Sequence, residues 1–283
     1  MKLIHLTDTH FVGPGLSLYG VNPRERLDAA IADINRNHSD ADLVVITGDL
    51  THWGEAAAYR NLVECLSSLV PPVVPILGNH DNRETYREHF PDAPVDNDGF
   101  IQGMREVGRS SLLFLDTNQP GTHAGWYCEK RLAWLDAQLG AADREIFMFM
   151  HHPPFRTGLM SLDRIGLTQA SDFRDVIEPH AHKIAHLFSG HVHRPICGSW
   201  LGIPTSTIRG TNHQVAFNLS PKESDIPFTY EEPAYAVVLI DRDSVVIHTH
   251  DYLYQGGTYV SGVYQSREEE MEYALNFSPL AAQ

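Results

Sequence analysis

Residues 43–49, Leu-Val-Val-Ile-Thr-Gly-Asp, place a continuous apolar run directly before a glycine and an aspartate. A short run that is apolar at every position predicts a strand buried on both faces, which is typical of a parallel sheet. The glycine can adopt backbone angles that let the chain leave the strand abruptly. We therefore predict a buried strand at Leu43–Ile46 that delivers Asp49 to a site at its carboxyl end.

The same arrangement recurs at four other places in the chain. Apolar runs that predict buried strands lie at Leu3–Leu6, Val73–Leu77, Ile146–Met150 and Ile184–Phe188. The polar clusters that follow them are Asp8-Thr9-His10, Gly78-Asn79-His80-Asp81, His151-His152-Pro153-Pro154 and Gly190-His191-Val192-His193. Ligands of open α/β sheets bind beyond the carboxyl ends of the strands, so we expect all five clusters to converge there.

Helix signals lie between the first strands. Asn22 before Pro23 predicts a helix start, and a second helix is expected from about Glu55 to Leu69. Alternating strands and helices predict βαβ units and a largely parallel sheet. Further along the chain, we predict a strand at Ser111–Asp116, a helix at Glu129–Leu139 and a helix beginning near Ser171.

After residue 194 the hydrophobic pattern typical of helices is absent. We expect the strands Thr205–Ile208, Ala236–Ile240 and Val245–His250 to form a second sheet stacked on the first. The segment from about Ser220 to Pro233 is predicted to be a loop, and no defined element is predicted in the tail from about Gln265.

The charge balance limits the partners of the chain. Among 283 residues there are 21 lysines and arginines against 36 aspartates and glutamates, a formal net charge of −15. Such a field repels polyanions, so long nucleic acid is not expected as a partner. A small phosphate compound remains compatible if the site supplies a local cation, for which bound metal is the obvious candidate.

Cysteine use and the apolar pattern suggest a compartment. Cys65, Cys128 and Cys197 are odd in number and widely spaced, which argues against a disulfide framework or a thiolate zinc site. The first residues lack a signal-peptide core, and no run approaches the roughly 18 apolar residues of a membrane span. We expect a cytoplasmic protein with no membrane partner.

The five clusters share one chemistry. Carboxylate, imidazole and amide oxygen are the ligands of first-row metals such as manganese, iron, cobalt and zinc. Each cluster alone has an ordinary interpretation as a turn, a helix cap or a surface histidine. Five of them in order, each directly after an apolar strand, favour a shared metal site.

The ordered set D-x-H, G-D, G-N-H-D, H-H-P-P and G-H-x-H resembles the calcineurin-like metallophosphoesterases. Within that family, the sequence is similar to the bacterial class III cyclic nucleotide phosphodiesterases and glycerophosphodiesterases. The similarity includes Leu18-Tyr19-Gly20 and Gly210-Thr211-Asn212-His213-Gln214 and spans roughly residues 1–255. It implies a four-layer αββα sandwich of two mixed sheets flanked by helices. The expected metallophosphoesterase domain spans residues 1–255. Within it, residues from about 195 are expected to contribute strands of the second sheet and possible oligomer contacts. Residues 256–283 are expected to form a C-terminal extension.

The resemblance also implies a ligand set. One ion is expected on Asp8, His10, Asp49 and His193. The other is expected on Asp49, Asn79, His151 and His191, with Asp49 and a hydroxide as bridges. The ions are expected to be divalent or mixed-valence manganese, iron, zinc or cobalt. For His152, contact with a ligand and simple packing are both left open.

The implied reaction is hydrolysis of a small phosphodiester by attack of the bridging hydroxide. His80 and Asp81 are the predicted catalytic pair, in which His80 contacts the phosphate or protonates the leaving alkoxide and Asp81 orients the His80 ring. Asn79, His80 and His213 are the predicted substrate contacts, and for His213 simple loop packing is left open. The resemblance further implies a homo-oligomer. Alternatives are a phosphomonoesterase or nuclease on the same metal core, and a metal-binding interaction module without turnover.

Overall fold

The computed structural model describes residues 1–220, 225–257 and 264–277. It divides the chain into two units, Met1–Tyr252 and Leu253–Gln283. The predicted loop and C-terminal extension include residues 221–224, 258–263 and 278–283, which lie outside the described residues. The domain boundary near residue 255 therefore stays a prediction.

The first sheet contains five strands. In chain order they are β1 (Lys2–Leu6), β2 (Leu43–Thr47), β3 (Val73–Ile76), β12 (Tyr235–Ile240) and β13 (Val245–His250), and their spatial order is β13-β12-β1-β2-β3. β1, β2 and β3 pair in parallel, whereas β12 pairs antiparallel with β1 and with β13.

The second sheet contains six strands. They are β4 (Gly103–Val107), β5 (Ser110–Phe114), β6 (Glu145–Met150), β7 (Ile184–Ser189), β8 (Ile196–Trp200) and β9 (Ile203–Thr207), in the order β4-β5-β6-β7-β9-β8. β5, β6, β7 and β9 are parallel, and the two edge strands are antiparallel. A separate two-stranded pairing joins β10 (Gln214–Val215) and β11 (Phe228–Thr229).

Helices complete the layers. They are α1 (Pro23–Asn37), α2 (Ala56–Leu66), α3 (Arg83–His89), α4 (Glu129–Ala141), α5 (Met160–Asp163), α6 (Ala170–Ile177) and α7 (Arg267–Asn276), with a 3₁₀ helix at Glu178–Lys183. The predicted start of α1 is confirmed, since the Asn22 side chain accepts a hydrogen bond from the backbone N–H of Arg24. None of the helices in the described ranges combines the length and apolar character that crossing a bilayer would require.

The sheets pack face to face through a shared core. Leu43 and Val45 of the first sheet contact a cluster that includes Phe147, Phe149 and Phe188 of the second. The rings of Phe149 and Phe188 stack at 4.8 Å between centroids. A second cluster packs the other face of β5, β6 and β7 against α4 and α6. The predicted αββα sandwich of two mixed sheets is therefore confirmed.

Two expectations about the C-terminal third are wrong. Ala236–Ile240 and Val245–His250 are strands, but they extend the first sheet beside β1, and only β9 of the predicted group joins the second. An apolar strand can pair in either sheet, and the sequence pattern does not specify its neighbour. In the tail, α7 begins where Ser266 accepts a hydrogen bond from the backbone N–H of Glu269, an ordinary helix cap.

Candidate active site

The predicted ligands lie directly after five strands from both sheets. Asp8 and His10 follow β1, Asp49 follows β2, Asn79 follows β3, His151 follows β6, and His191 and His193 follow β7. The structure brings all seven together at one edge of the sandwich, as the sequence predicts.

Five of these side chains are carried on left-handed backbone. The φ angles of Asp8, His10, Asp49, His191 and His193 lie between 46° and 68°. Residues other than glycine rarely adopt this region, and each such residue costs on the order of 1–3 kcal/mol. The surrounding structure therefore holds these side chains in orientations that a relaxed backbone after the strand would rarely adopt.

The glycines beside the ligands serve two different purposes. Gly48 has a φ of +92°, as the abrupt strand exit predicts. Gly78 and Gly190 are not left-handed. Their requirement is space, since a Cβ on Gly78 would lie 2.2 Å from the backbone nitrogen of Asp49, and one on Gly190 would lie 2.2 Å from Oγ1 of Thr7.

The first group of donors comprises Asp8, His10, Asp49 and His193, all buried. Nε2 of His193 lies 3.1 Å from both Nε2 of His10 and Oδ1 of Asp8. Oδ2 of Asp49 lies 3.7 Å from Nε2 of His10. Donor atoms that share one first-row ion at about 2.0–2.2 Å are separated by roughly 3–4 Å, so the spacing of this group suits a single ion.

The second group comprises Asn79, His151 and His191, with the other oxygen of Asp49. Nε2 of His151 lies 3.1 Å from Oδ1 of Asn79 and 3.4 Å from Oδ1 of Asp49. Nδ1 of His191 lies 3.0 Å from the same Asn79 oxygen. Asp49 thus presents Oδ2 to the first group and Oδ1 to the second.

Backbone carbonyls determine which ring nitrogen is free. Nδ1 of His151 donates to the carbonyl of Thr47 at 2.7 Å, and Nδ1 of His193 donates to the carbonyl of His213 at 2.8 Å. In the neutral rings the lone pair is then on Nε2, the atom that faces the other donors. This is the arrangement that a metal-binding histidine requires.

His152 differs from His151 in this respect. It is fully buried, and its Nδ1 lies 2.7 Å from Oγ1 of Thr117, while its Nε2 donates to the carbonyl of His123 at 3.1 Å. Both nitrogens of His152 therefore have protein partners. This contrast favours His151 as the ligand of the pair, and His152 packs behind it with ring centroids 4.8 Å apart.

Two observations test whether a cation fits this edge. Among the described residues, Oδ1 of Asp8 is buried without a hydrogen-bond partner. Elsewhere in the site, lone-pair atoms of His151, Asn79 and Asp49 face one another. Buried polar atoms are rarely left unsatisfied, and a divalent ion would satisfy these. The residues present therefore fit a metal centre.

The charges of the site favour positive charge at the same place. Burial alone would lower the pKa of His151, but the carboxylates of Asp49 and Asp8 raise it to about 9. Burial would raise the pKa of Asp49, but the neighbouring His151 and His80 hold it well below its usual range. The carboxylates thus favour a positive charge next to His151. Without metal, a proton on His151 supplies that charge; a bound metal ion would supply it instead.

The prediction that Asp81 orients His80 is wrong. Nδ1 of His80 donates instead to the backbone carbonyl of His52 at 2.8 Å. The Asp81 carboxylate accepts hydrogen bonds from the backbone N–H groups of Leu50 at 3.0 Å and Gly78 at 2.9 Å. Asp81 therefore ties the turn after β2 to the turn after β3, because its acceptors satisfy backbone donors of both turns.

The site opens into a cavity of about 390 Å³. Its lining includes His80 and His213, two of the predicted substrate contacts, and also His52, His123 and Tyr19. A larger depression of about 540 Å³ contains none of the predicted site residues and is lined by exposed charged side chains such as Arg109 and Asp241.

Two further histidines of the site, His52 and His123, were not predicted from the sequence. Nδ1 of His52 lies 3.1 Å from Nδ1 of His10, and its ring stacks on His80 at 4.7 Å. Nδ2 of Asn79 donates to Nδ1 of His123 at 3.0 Å. The position of His52 three residues after Asp49 is a usable signal, whereas His123 follows no predicted strand.

Comparisons with known proteins agree with this geometry. Residues 1–195 match the model of the calcineurin-like phosphoesterase family. The chain is 45% identical to a probable cyclic nucleotide phosphodiesterase of Rhodopseudomonas palustris, over 90% of this chain and 94% of that protein. It is 30% identical to a probable glycerophosphodiester phosphodiesterase of Arcobacter nitrofigilis, over 83% of this chain and 86% of that protein. Among solved structures, a dimetal phosphatase of Danio rerio superposes with a TM-score of 0.68 at 15% identity, covering 89% of this chain and 96% of that one.

The chain belongs to the calcineurin-like phosphoesterase family. The fold agrees with this membership, and the histidine and aspartate cluster at the strand ends agrees with a divalent metal centre.

Proposed function

We propose that the chain hydrolyses small phosphodiesters, either cyclic nucleotides or glycerophosphodiesters, at a centre of two metal ions that share Asp49. The observation that carries the proposal is the Asp49 carboxylate, whose two oxygens face two separate groups of donors. The names of the relatives in Rhodopseudomonas palustris and Arcobacter nitrofigilis support phosphodiester hydrolysis.

The proposed ligands follow from the two groups. One ion would be held by Asp8, His10, Asp49 and His193, and the other by Asp49, Asn79, His151 and His191. These donors suit manganese, iron, zinc or cobalt. When bound, two such ions lower the pKa of a water molecule to near neutral and offset negative charge on the phosphate.

His80 is the proposed contact with the reacting phosphate. Because its Nδ1 donates to the carbonyl of His52, its Nε2 is left for the cavity and lies 4.0 Å from Oδ2 of Asp49. In the imidazolium form Nε2 carries a second proton, which it donates in a hydrogen bond to a phosphate oxygen or transfers to the departing alkoxide, leaving the neutral ring with its lone pair on Nε2. Asn79 and His213 are proposed as further substrate contacts, since both line the same cavity. The proposed role of Asp81 is to position the ligand turns.

A substrate comparison tests the function. Manganese-loaded protein is assayed with bis(p-nitrophenyl) phosphate, p-nitrophenyl phosphate, a cyclic nucleotide and a glycerophosphodiester. We expect kcat/KM on the diesters to exceed that on the monoester. Faster monoester hydrolysis would replace the proposal by a phosphomonoesterase, and two bound ions with every ester intact would replace it by a binding module.

A second experiment tests His80. We expect His80→Ala to slow esters with poor leaving groups by about 10²–10⁴-fold and esters with good leaving groups much less, if it protonates the alkoxide. The control is His182→Ala, an exposed histidine of the 3₁₀ helix that does not line the cavity. A small and uniform loss across the series would contradict proton donation by His80.

A further inference from the structure

Beside the donor groups, the cavity lining includes a set of apolar and aromatic side chains. Six side chains form it, and we call them the apolar wall: Tyr19, Leu162, Ile165, Val215, Ile226 and Phe228. They come from the loop after β1, from α5 and the turn after it, and from the segment that contains β10 and β11. Three chain segments that are far apart in sequence thus form one apolar surface of the cavity.

Part of the apolar wall is anchored in a small core of its own. Leu162 and Val215 are 4% and 3% exposed and pack with Leu159 and Val192. Ile226 packs against the same cluster. This part of the lining is therefore fixed by packing, and it offers a firm surface for a ligand.

Tyr19 and Phe228 form the aromatic part of the apolar wall. Their ring centroids are 4.5 Å apart, and each residue is close to half exposed. The backbone of Tyr19 is left-handed, with a φ of 51°, and its carbonyl accepts a hydrogen bond from the hydroxyl of Tyr230 at 2.8 Å. Two exposed rings at the cavity are a surface on which a planar group can stack.

We propose that the apolar wall receives the base of a cyclic nucleotide, so that the chain acts on cyclic nucleotides in preference to glycerophosphodiesters. The inference rests on the proposed function, because the donor groups must hold the phosphate in both cases. A purine gains from burial against apolar side chains and from stacking on an aromatic ring. A glycerol group presents hydroxyls, which lose water without gaining partners on an apolar surface.

Two polar residues that line the cavity near the apolar wall are suited to contact a base. Ser161 and Arg164 also line the cavity. Within the described part of the chain, the Arg164 side chain is exposed and makes no hydrogen bond or ion pair. A guanidinium can donate to the ring nitrogen and exocyclic oxygen on the edge of a base.

The test compares substrates on wild type, Phe228→Ala and Phe228→Tyr, all loaded with manganese. The substrates are 3′,5′-cyclic AMP, 3′,5′-cyclic GMP, glycerophosphoethanolamine and bis(p-nitrophenyl) phosphate. We expect wild type to have a higher kcat/KM on a cyclic nucleotide than on glycerophosphoethanolamine. Phe228→Ala is expected to lower kcat/KM on cyclic nucleotides by about 5- to 150-fold, the effect of one lost base stack, and on glycerophosphoethanolamine by less than about 2-fold. Phe228→Tyr keeps the ring and is expected to retain the preference.

Phe217→Ala is the matched control, since Phe217 is 68% exposed and does not line the cavity. Its substrate preference is expected to equal that of wild type. A wild-type preference for glycerophosphoethanolamine, or an equal loss on all diesters in Phe228→Ala, would overturn the inference while the proposed function stands. Failure of wild type to hydrolyse any of the four diesters would instead overturn the proposed function.

Discussion

Replacement of Asp81 by asparagine separates a structural role from a catalytic one. The carboxylate accepts hydrogen bonds from the backbone N–H groups of Leu50 at 3.0 Å, Thr51 at 3.0 Å and Gly78 at 2.9 Å, and from the hydroxyl of Tyr59 at 2.8 Å. Burial and the nearby Asp49 charge raise the pKa of Asp81 to about 6, and the backbone donors oppose that rise. At neutral pH the group is therefore an ionised acceptor surrounded by donors.

An asparagine amide must direct its NH₂ group at some of these donors. The least costly orientation points the NH₂ at the Tyr59 hydroxyl, which can rotate to accept, and leaves the N–H of Thr51 without a partner. One unsatisfied buried donor costs about 1–3 kcal/mol, and the remaining bonds lose the strength that the charge gives them. We expect Asp81→Asn to lower the free energy of unfolding by about 2–4 kcal/mol and to weaken metal binding, because the turns that carry Asp49 and Asn79 are no longer tied together.

The assay is urea unfolding of the metal-free proteins at pH 7.5, followed by manganese titration and by hydrolysis of esters with different leaving groups. Asp92→Asn, at an exposed position, is the control for loss of one carboxylate. The dependence of the rate on the leaving group is expected to match that of wild type. Unchanged stability, together with a loss of hydrolysis rate that is larger for esters with poor leaving groups, would refute the positioning role. It would indicate that Asp81 takes part in the reaction.

Three further predictions concern metal, pH and the support of the site. Removal of metal by a chelator is expected to abolish diester hydrolysis and to lower the melting temperature, with both recovered on addition of manganese; full activity after verified removal would contradict a metal centre. Burial lowers the pKa of His186 to about 4 in the folded protein, against about 6.5 when the chain is unfolded. As the pH drops, the unfolded state is therefore protonated before the folded state, and the free energy of unfolding falls between about pH 6.5 and pH 4. The stability difference between wild type and His186→Gln should therefore shrink by about 2–3 kcal/mol between pH 7 and 4.5 in urea unfolding, and a constant difference would refute this. Asp116 is fully buried and binds the Arg83 guanidinium at 2.8 Å, with Arg131 at 3.7 Å; Asp116→Asn is expected to cost about 3–5 kcal/mol in urea unfolding because buried positive charge loses its partner, and a cost below about 1 kcal/mol would contradict this role.

The positions of the proposed ligands could be predicted because each follows directly from a local pattern. A run such as Leu43–Ile46 is apolar at every position, and the next polar side chain, Asp49, must leave the sheet at its carboxyl end. The same pattern located His151 and His193 in the second sheet. The convergence of the five clusters was expected from the carboxyl-end rule for open sheets, but the division of their strands between two sheets is visible only in the structure.

Pairing between distant strands could not be predicted in the same way. The strand Tyr235–Ile240 is apolar enough for either sheet, and its place beside β1 depends on contacts across more than 200 residues. The homo-oligomer, the cytoplasmic location and the identity of the metals stay predictions.

The roles of Asp81 and the apolar wall were hidden for a related reason. The Asp81 carboxylate satisfies backbone N–H groups, and a sequence does not show which of these lack partners. Phe228 and Leu162 lie in separate irregular segments without a periodic pattern, so only the folded chain shows that they line the same cavity as Asp49.

Anomalous scattering from a manganese-loaded crystal tests the two-ion centre most directly. We predict two peaks about 3.5–4 Å apart, one on each side of Asp49, with His10 and His193 at the first and His151 and His191 at the second. A single peak, or two peaks that do not share the Asp49 carboxylate, would contradict it.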